Sequence, residues 1–239
     1  MSSSQTGPTS TTGSSPSSAS SGPPSSPDAP GPPGPATGPR PGPGINVVTC
    51  GALARHIRDI AARRQWPVIV HALPAQLHNR PAEIPGQAER ALAGFPPAPG
   101  SRTVVAYADC GTYGKLDEAC QRAGASRLPG LHCYDLFAGQ DTLRELFHME
   151  PGSYLLTDYL VRTFDRTVVA SLGLDRYPEL WPDYFGHYTR IVWLAQEPTP
   201  DLEAEAARIA ARFGLPLTTI TTGLSRLEAA LAALIEGET

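Results

Sequence analysis

From residue 45 onward, short apolar runs alternate with stretches in which apolar residues recur every three or four positions. Residues 45–49 read as a first strand. Residues 52–64 read as a helix carrying Leu53, Ile57 and Ile60 near one face. Residues 67–73 are apolar on successive positions, which suits a strand covered on both faces. A polar loop, 74–81, follows, and Pro81 or Pro85 opens a helix running to Leu92. Residues 103–108 form a third strand, 115–123 a helix stopped by Gly124, and 126–131 a shorter strand pattern. A helix over 140–149 ends at Pro151-Gly152. Residues 153–158 read as extended and 159–172 as helical, and the aromatic stretch 177–188 reads as a short helix plus loop. Strands at 190–195 and 217–221 bracket a helix at 201–213. A last helix, 223–235, places Leu224, Leu227, Leu231 and Leu234 at helical spacing. Alternation of this kind predicts parallel βαβ units in a single α/β domain over 45–239: three layers, with a mostly parallel sheet and helices on both faces. Ligands of such folds bind outside the carboxyl ends of the strands.

Composition sets the first 44 residues apart. Residues 2–44 are almost wholly Ser, Thr, Gly, Pro and Ala, with Asp28 and Arg40 as the only charges. Such a stretch lacks the apolar surface to offset the entropy of ordering, so it is expected to be a disordered tail. It has neither an apolar core nor an Arg-rich amphipathic face, which argues against a signal or transit peptide. No apolar run approaches the ~20 residues of a membrane span. The net charge of −4 falls on the rest of the chain, because the tail's two charges cancel, and it argues against a nucleic-acid surface. Four cysteines without a secretory signal point to reduced thiols in a cytoplasmic setting rather than to a disulfide framework.

The candidate chemistry gathers at strand exits. The apolar run before Asp109 ends in Asp109-Cys110-Gly111. Cys50-Gly51 and His132-Cys133 repeat the same placement. Cys50, Cys110 and Cys133 are therefore expected to share a transition-metal site, an iron–sulfur cluster or a zinc ion, with one position left for a substrate. Their βα turns are expected to lower the thiol pKa values. Cys120 lies inside a helix and reads as core. Fourth-ligand candidates are His78, His132 and Glu150. If strand alternation holds, only one of His132 and Cys133 faces the site. His71 reads as a strand residue, and His56, His148 and His187 as local structure. An alternative is a metal-free enzyme with Cys110 as nucleophile, His78 or His132 as base, and Asp109 as an orienting group, a base or a helix cap. A third reading is small-anion binding by Arg80 and Arg176, whose plain counterpart is an internal salt bridge. The aromatics Tyr177, Trp181, Tyr184, Phe185 and Tyr188 either pack in the core or close over a flat ligand such as a tetrapyrrole. No Gly-rich dinucleotide loop after a strand, no Walker loop and no G-x-S-x-G elbow is present.

Longer stretches carry a resemblance. They include Cys50-Gly51-Ala52-Leu53-Ala54-Arg55, Leu73-Pro74-Ala75-Gln76-Leu77-His78-Asn79-Arg80-Pro81, Asp109-Cys110-Gly111-Thr112, Leu156-Thr157-Asp158-Tyr159-Leu160 and Gly173-Leu174-Asp175-Arg176-Tyr177-Pro178-Glu179-Leu180. On these the chain resembles the domain of unknown function 1638 family, from residue 45 to the end. Tyr113 stands where members often have glycine. Members are often encoded beside corrinoid-dependent methyltransferase components. The resemblance therefore implies one-carbon or corrinoid-linked metabolism, with a small-molecule ligand and a corrinoid-related protein as partner, and it assigns no residue a role.

Overall fold

The computed structural model describes residues 44–95 and 100–237. The described residues belong to one unit of the chain, Pro41–Thr239. The tail reading falls outside them except for Gly44, as does most of the loop between 95 and 101. In chain order the elements are β1 (Ile45–Cys50), α1 (Ala54–Arg64), β2 (Val68–Leu73), α2 (Ile84–Ala93), β3 (Arg102–Ala106), α3 (Lys115–Arg122), β4 (Ser126–Arg127), α4 (Asp135–Ala138), α5 (Gln140–Met149), β5 (Ser153–Thr157), α6 (Asp158–Phe164), α7 (Trp181–Phe185), β6 (Arg190–Ala195), α8 (Pro200–Phe213), β7 (Leu217–Thr221) and α9 (Ser225–Glu236).

The class is α/β with parallel strands, as the alternation predicts, but the strands divide between two sheets. One has the order β2-β1-β3-β4 and the other β5-β6-β7, and every pairing is parallel. The division follows from the end of β4. That strand is only two residues long, because Pro129 and a positive φ of 100° at Gly130 turn the chain out of the ladder. Residues 126–131 are therefore not the full strand expected. The chain then runs through α4 and α5 before β5 opens the second sheet.

Each sheet is filled by its own core. In the first, Val47, Val48, Val104 and Val105 pack with Ile57, Ile60, Leu116 and Leu128. β2 is an edge strand rather than one covered on both faces, and Ile69 is 44% exposed. In the second sheet the two-residue period sorts side chains by face. Leu156, Ile191 and Trp193 meet Phe164 and Ile209 on one side. Leu155, Val192 and Leu194 meet Leu143 and Leu146 on the other. The last helix does not stay with the second sheet. Leu224, just before α9, and Leu227, Leu231 and Ile235 within it join the core of the first sheet, and the helix packs on α4 and β3.

One predicted helix changes character. The stretch 159–172 is α-helical only to Phe164, and Asp165–Val169 forms a π turn. Hydroxyls at four-residue spacing bond back to the backbone: Thr163 to Tyr159 O at 2.7 Å, Thr167 to Thr163 O at 2.9 Å and Ser171 to Thr167 O at 2.5 Å. Such bonds compete with the regular ladder and bend helices, and here they accompany the π turn.

Candidate active site

Three strand exits of the first sheet build the site. At the end of β1, Gly51 N donates to Leu73 O at 2.9 Å. A Cβ on Gly51 would lie 2.8 Å from that oxygen, so the approach that sets Cys50 beside β2 requires glycine. At the end of β3, Asp109 N and Cys110 N donate to Gly130 O at 3.0 Å and Leu131 O at 2.7 Å, tying this loop to the next exit. Beyond it the backbone is left-handed at Cys110 (φ 51°), Gly111 (81°), Tyr113 (52°) and Gly114 (85°). The Asp109 carboxylate holds this loop. It accepts from Thr112 Oγ1 at 2.9 Å and from the amides of Gly114, Gly111 and Tyr113 at 3.0, 3.1 and 3.1 Å. Burial raises its pKa, but these four bonds outweigh burial and hold it below the usual carboxylate range. Asp109 is therefore a loop anchor just ahead of α3, nearest to the cap role among those considered for it. At the third exit, Asp135 Oδ2 accepts from Leu131 N at 2.7 Å and His132 N at 3.1 Å and folds 131–134 into a turn.

Cys50, Cys110 and Cys133 line one cavity of about 160 Å³ together with Tyr107, His78 and His132. The fold thus joins the three predicted cysteines. It also brings in both His132 and Cys133, because they sit in a turn where strand alternation does not apply. The thiols are not activated. Burial, then the neighbouring Cys50 thiol and Asp109, push Cys110 up to about 11. Cys133 is raised by burial, then by Cys110 and Cys50. Cys50 is raised by burial, against weaker help from the Ala52 amide, the Tyr107 hydroxyl and the Leu53 amide. The expected lowering by helix N-termini is overturned, since desolvation of three adjoining sulfurs exceeds what the amides return.

Tyr107 is 2% exposed, and its hydroxyl lacks a hydrogen-bond partner of full geometry, although it sits close enough to Cys50 for each to shift the other. Burial, then a charge at Cys50, keeps this phenol neutral. The His78 Nδ1–H donates to Ala75 O at 2.8 Å, so in the neutral ring Nε2 is the acceptor nitrogen. Among the described residues, no three Cys, His, Asp or Glu side chains stand in an arrangement that holds a metal ion.

Other predicted residues lie elsewhere. Arg80 is exposed and pairs with Glu83 at 3.1 Å. Arg176 is exposed, 4.0 Å from Asp175 and over the Tyr177 ring. Neither lines a cavity described here, so the plain salt-bridge reading is the one their positions support. Glu150 accepts from Thr189 Oγ1 and sits 3.3 Å from Arg190 Nε, bracing β6. Cys120 is buried core, as expected.

A second cavity, of about 860 Å³, adjoins the first and shares His78, His132, Tyr134 and Leu160 with it. Tyr184, Phe185 and Tyr188 face it, whereas Trp181 packs against Phe213 in the core, so the aromatic segment is divided between a cavity wall and core packing. His187 lines it too, beyond the local role expected of it. Sequence reasoning also missed Asp158, fully buried at the carboxyl end of β5. It accepts from Trp193 Nε1 at 3.0 Å, Gln196 N at 3.1 Å and Glu197 N at 2.8 Å. His56, 3% exposed on α1, faces Glu197 Oε2 at 3.4 Å and joins the two halves at this point.

A family model described as "Protein of unknown function (DUF1638)" matches residues 72–231. The chain belongs to this family. The match takes in Cys110 and Cys133 and begins after Cys50, so the resemblance at Cys50-Gly51 lies outside it. No curated protein and no solved structure matches the chain. Among the described residues, no helix is long and apolar enough to cross a membrane.

Proposed function

We propose that Cys50, Cys110 and Cys133 hold a thiophilic metal centre, a zinc ion or an iron–sulfur cluster. The observation that carries this reading is that three thiols from three separate strand exits share one small cavity. Among the described residues, no lysine or arginine lines that cavity. Three thiolates there would repel one another in a desolvated space. A soft cation is the partner whose charge and ligand preference relieve that cost. The Tyr107 hydroxyl supports the same reading, because a neutral phenol beside Cys50 can donate to a metal-bound sulfur. His78 Nε2 is available as a fourth donor, with its tautomer fixed by the Ala75 bond. Binding requires the thiol side chains to turn about χ1 and converge. A centre held this way would polarise a donor atom of a substrate at its remaining position. A corrinoid-linked role and partner belong to the proposal only through the family resemblance, and no residue of the cavity argues for them.

A metal-free cysteine nucleophile is the second reading. The left-handed backbone at Cys110 favours it, since strained residues cluster at functional sites. Burial counts against it by holding this thiol protonated near neutral pH, and no basic group bonds to the sulfur.

Cobalt(II) titration of reduced, metal-free protein tests the proposal. The expected result is a saturable thiolate-to-cobalt absorption band that weakens in each of Cys50→Ser, Cys110→Ser and Cys133→Ser. A wild-type protein that develops no such band, while Cys110 reacts stoichiometrically with an alkylating agent, would favour the nucleophile instead.

A further inference from the structure

The larger cavity carries an inference of its own. Its walls combine an aromatic and aliphatic surface with hydrogen-bonding groups that the protein leaves unused. Tyr134, Tyr154 and Tyr188 line it, and among the described residues their hydroxyls make no hydrogen bond. The three phenols are neighbours. The Tyr154 and Tyr188 rings meet nearly edge-on at 5.0 Å, and Tyr134 is close enough to both for their charges to bear on it. A phenol hydroxyl both donates and accepts, so these are hydrogen-bonding groups without a protein partner among the described residues. The aliphatic wall hydroxyls are spent internally: Ser153 on Glu150 O at 2.7 Å, Thr167 and Ser171 on helix carbonyls.

The charges near the cavity are likewise committed. Asp135 accepts the Leu131 and His132 amides, and Arg144 reaches Asp141 at 2.7 Å. The wall also carries three histidines, His78, His132 and His187. Exposed apolar side chains stand among these polar ones, with Leu131 60%, Phe147 40% and Tyr184 42% exposed in the cavity lining. Exposed apolar side chains gathered at an opening mark a binding surface more often than scattered ones do. A volume of about 860 Å³ also lies in the usual range for organic ligands.

We propose that this cavity binds an uncharged, planar conjugated molecule bearing ring carbonyl oxygens, with Tyr134, Tyr154 and Tyr188 donating to those oxygens and the aromatic walls stacking on its face. The chemistry is shared by quinones and by the isoalloxazine ring of flavins. The inference goes beyond the metal reading and does not depend on it, because among the described residues no cysteine lines this cavity.

The test is equilibrium binding of riboflavin and of menadione to the purified protein, followed by flavin fluorescence and by calorimetry. It is repeated on Cys110→Ser, which separates this proposal from the metal centre. The expected result is saturable one-to-one binding of at least one of the two, unchanged in Cys110→Ser. Tyr134→Phe and Tyr188→Phe should each weaken it about 5- to 20-fold, the loss of one buried hydrogen bond. Ser171→Trp, which places bulk in the cavity from an exposed wall position, should abolish it. Riboflavin binding alone would point to the flavin-like source and menadione binding alone to the quinone-like one. Failure of both to bind, or binding indifferent to the tyrosine and Ser171 variants in folded protein, would overturn the proposal.

Discussion

Replacing Asp158 with alanine is the perturbation that most directly tests how the second sheet is held. The carboxylate is fully buried and satisfies three donors: the Trp193 indole at 3.0 Å and the amides of Gln196 at 3.1 Å and Glu197 at 2.8 Å. Its own amide donates to Gln196 Oε1 at 2.9 Å, so the carboxyl ends of β5 and β6 are joined through this residue. Alanine leaves the three donors without an acceptor. Trp193 is 0% and Gln196 3% exposed, so the cost of leaving them unpaired falls in full on at least these two. At about 1–3 kcal/mol for each buried unpaired donor, and with water reaching the half-buried Glu197 amide, the expected loss is about 3–5 kcal/mol. That is a large part of the ~5–15 kcal/mol typical of a domain. Asp158→Asn keeps the shape but offers one acceptor oxygen and turns a donor toward a donor, so it should lose about half as much. The assay is urea unfolding followed by tryptophan fluorescence and far-ultraviolet circular dichroism together. Thr157, Tyr159 and Leu160 line the thiol cavity, so metal or ligand binding should weaken in the same variants. A shift below about 1 kcal/mol for Asp158→Ala, with unchanged slope, would refute the assignment of this carboxylate as the tie between the strands.

Other outcomes follow from the same geometry. In metal-free protein, alkylation of Cys110 should be slow at pH 8 and still accelerating at pH 10, because its thiol titrates at about 11. A rate that plateaus below pH 8 would contradict that environment. Asp109→Asn should destabilise by about 1–2 kcal/mol at pH 7. The folded-state pKa of Asp109 is depressed, so its contribution is present above the ordinary carboxylate pKa and fades as pH falls through the depressed value. The gap between wild type and variant should therefore narrow in acid, and a constant gap would speak against the four-bond anchor. Gly51→Ala should cost about 1–3 kcal/mol in thermal or urea unfolding, because its Cβ would press on the Leu73 carbonyl. A neutral Gly51→Ala would mean that the β1 exit is looser than described. Glu228→Gln removes an exposed contact with Arg63 and Arg64 and should cost no more than about 1 kcal/mol, less at high salt.

The pattern of apolar positions foretold the parallel α/β class because local periodicity reports directly on strands and helices. It could not show that β4 stops at Arg127, since that depends on Pro129 and Gly130 leaving the ladder, and so it merged two sheets into one. The convergence of Cys50, Cys110 and Cys133 was legible from strand-exit placement alone. Their thiol environments were not, because desolvation is a property of the assembled cavity. Tyr107 read as one more apolar strand residue, and its orphan hydroxyl appears only once the neighbours are in place. Asp158 read as the last residue of an extended run. Thr157 caps α6, by accepting from Leu160 N at 3.4 Å, while the Asp158 carboxylate turns inward to partners 35 and more residues away. Arg80 and Arg176 drew attention as cations in polar loops, but a charge near a loop says little when an acid follows or precedes it closely.

The measurement that bears most directly on the three-cysteine centre is a metal and acid-labile sulfide analysis of protein purified without oxygen, beside Cys50→Ser, Cys110→Ser and Cys133→Ser. The account predicts near-stoichiometric zinc, or iron with sulfide, in the wild type and its loss in all three variants. Less than about a tenth of an equivalent of any transition metal in the wild type, or full retention in folded variants, would contradict it.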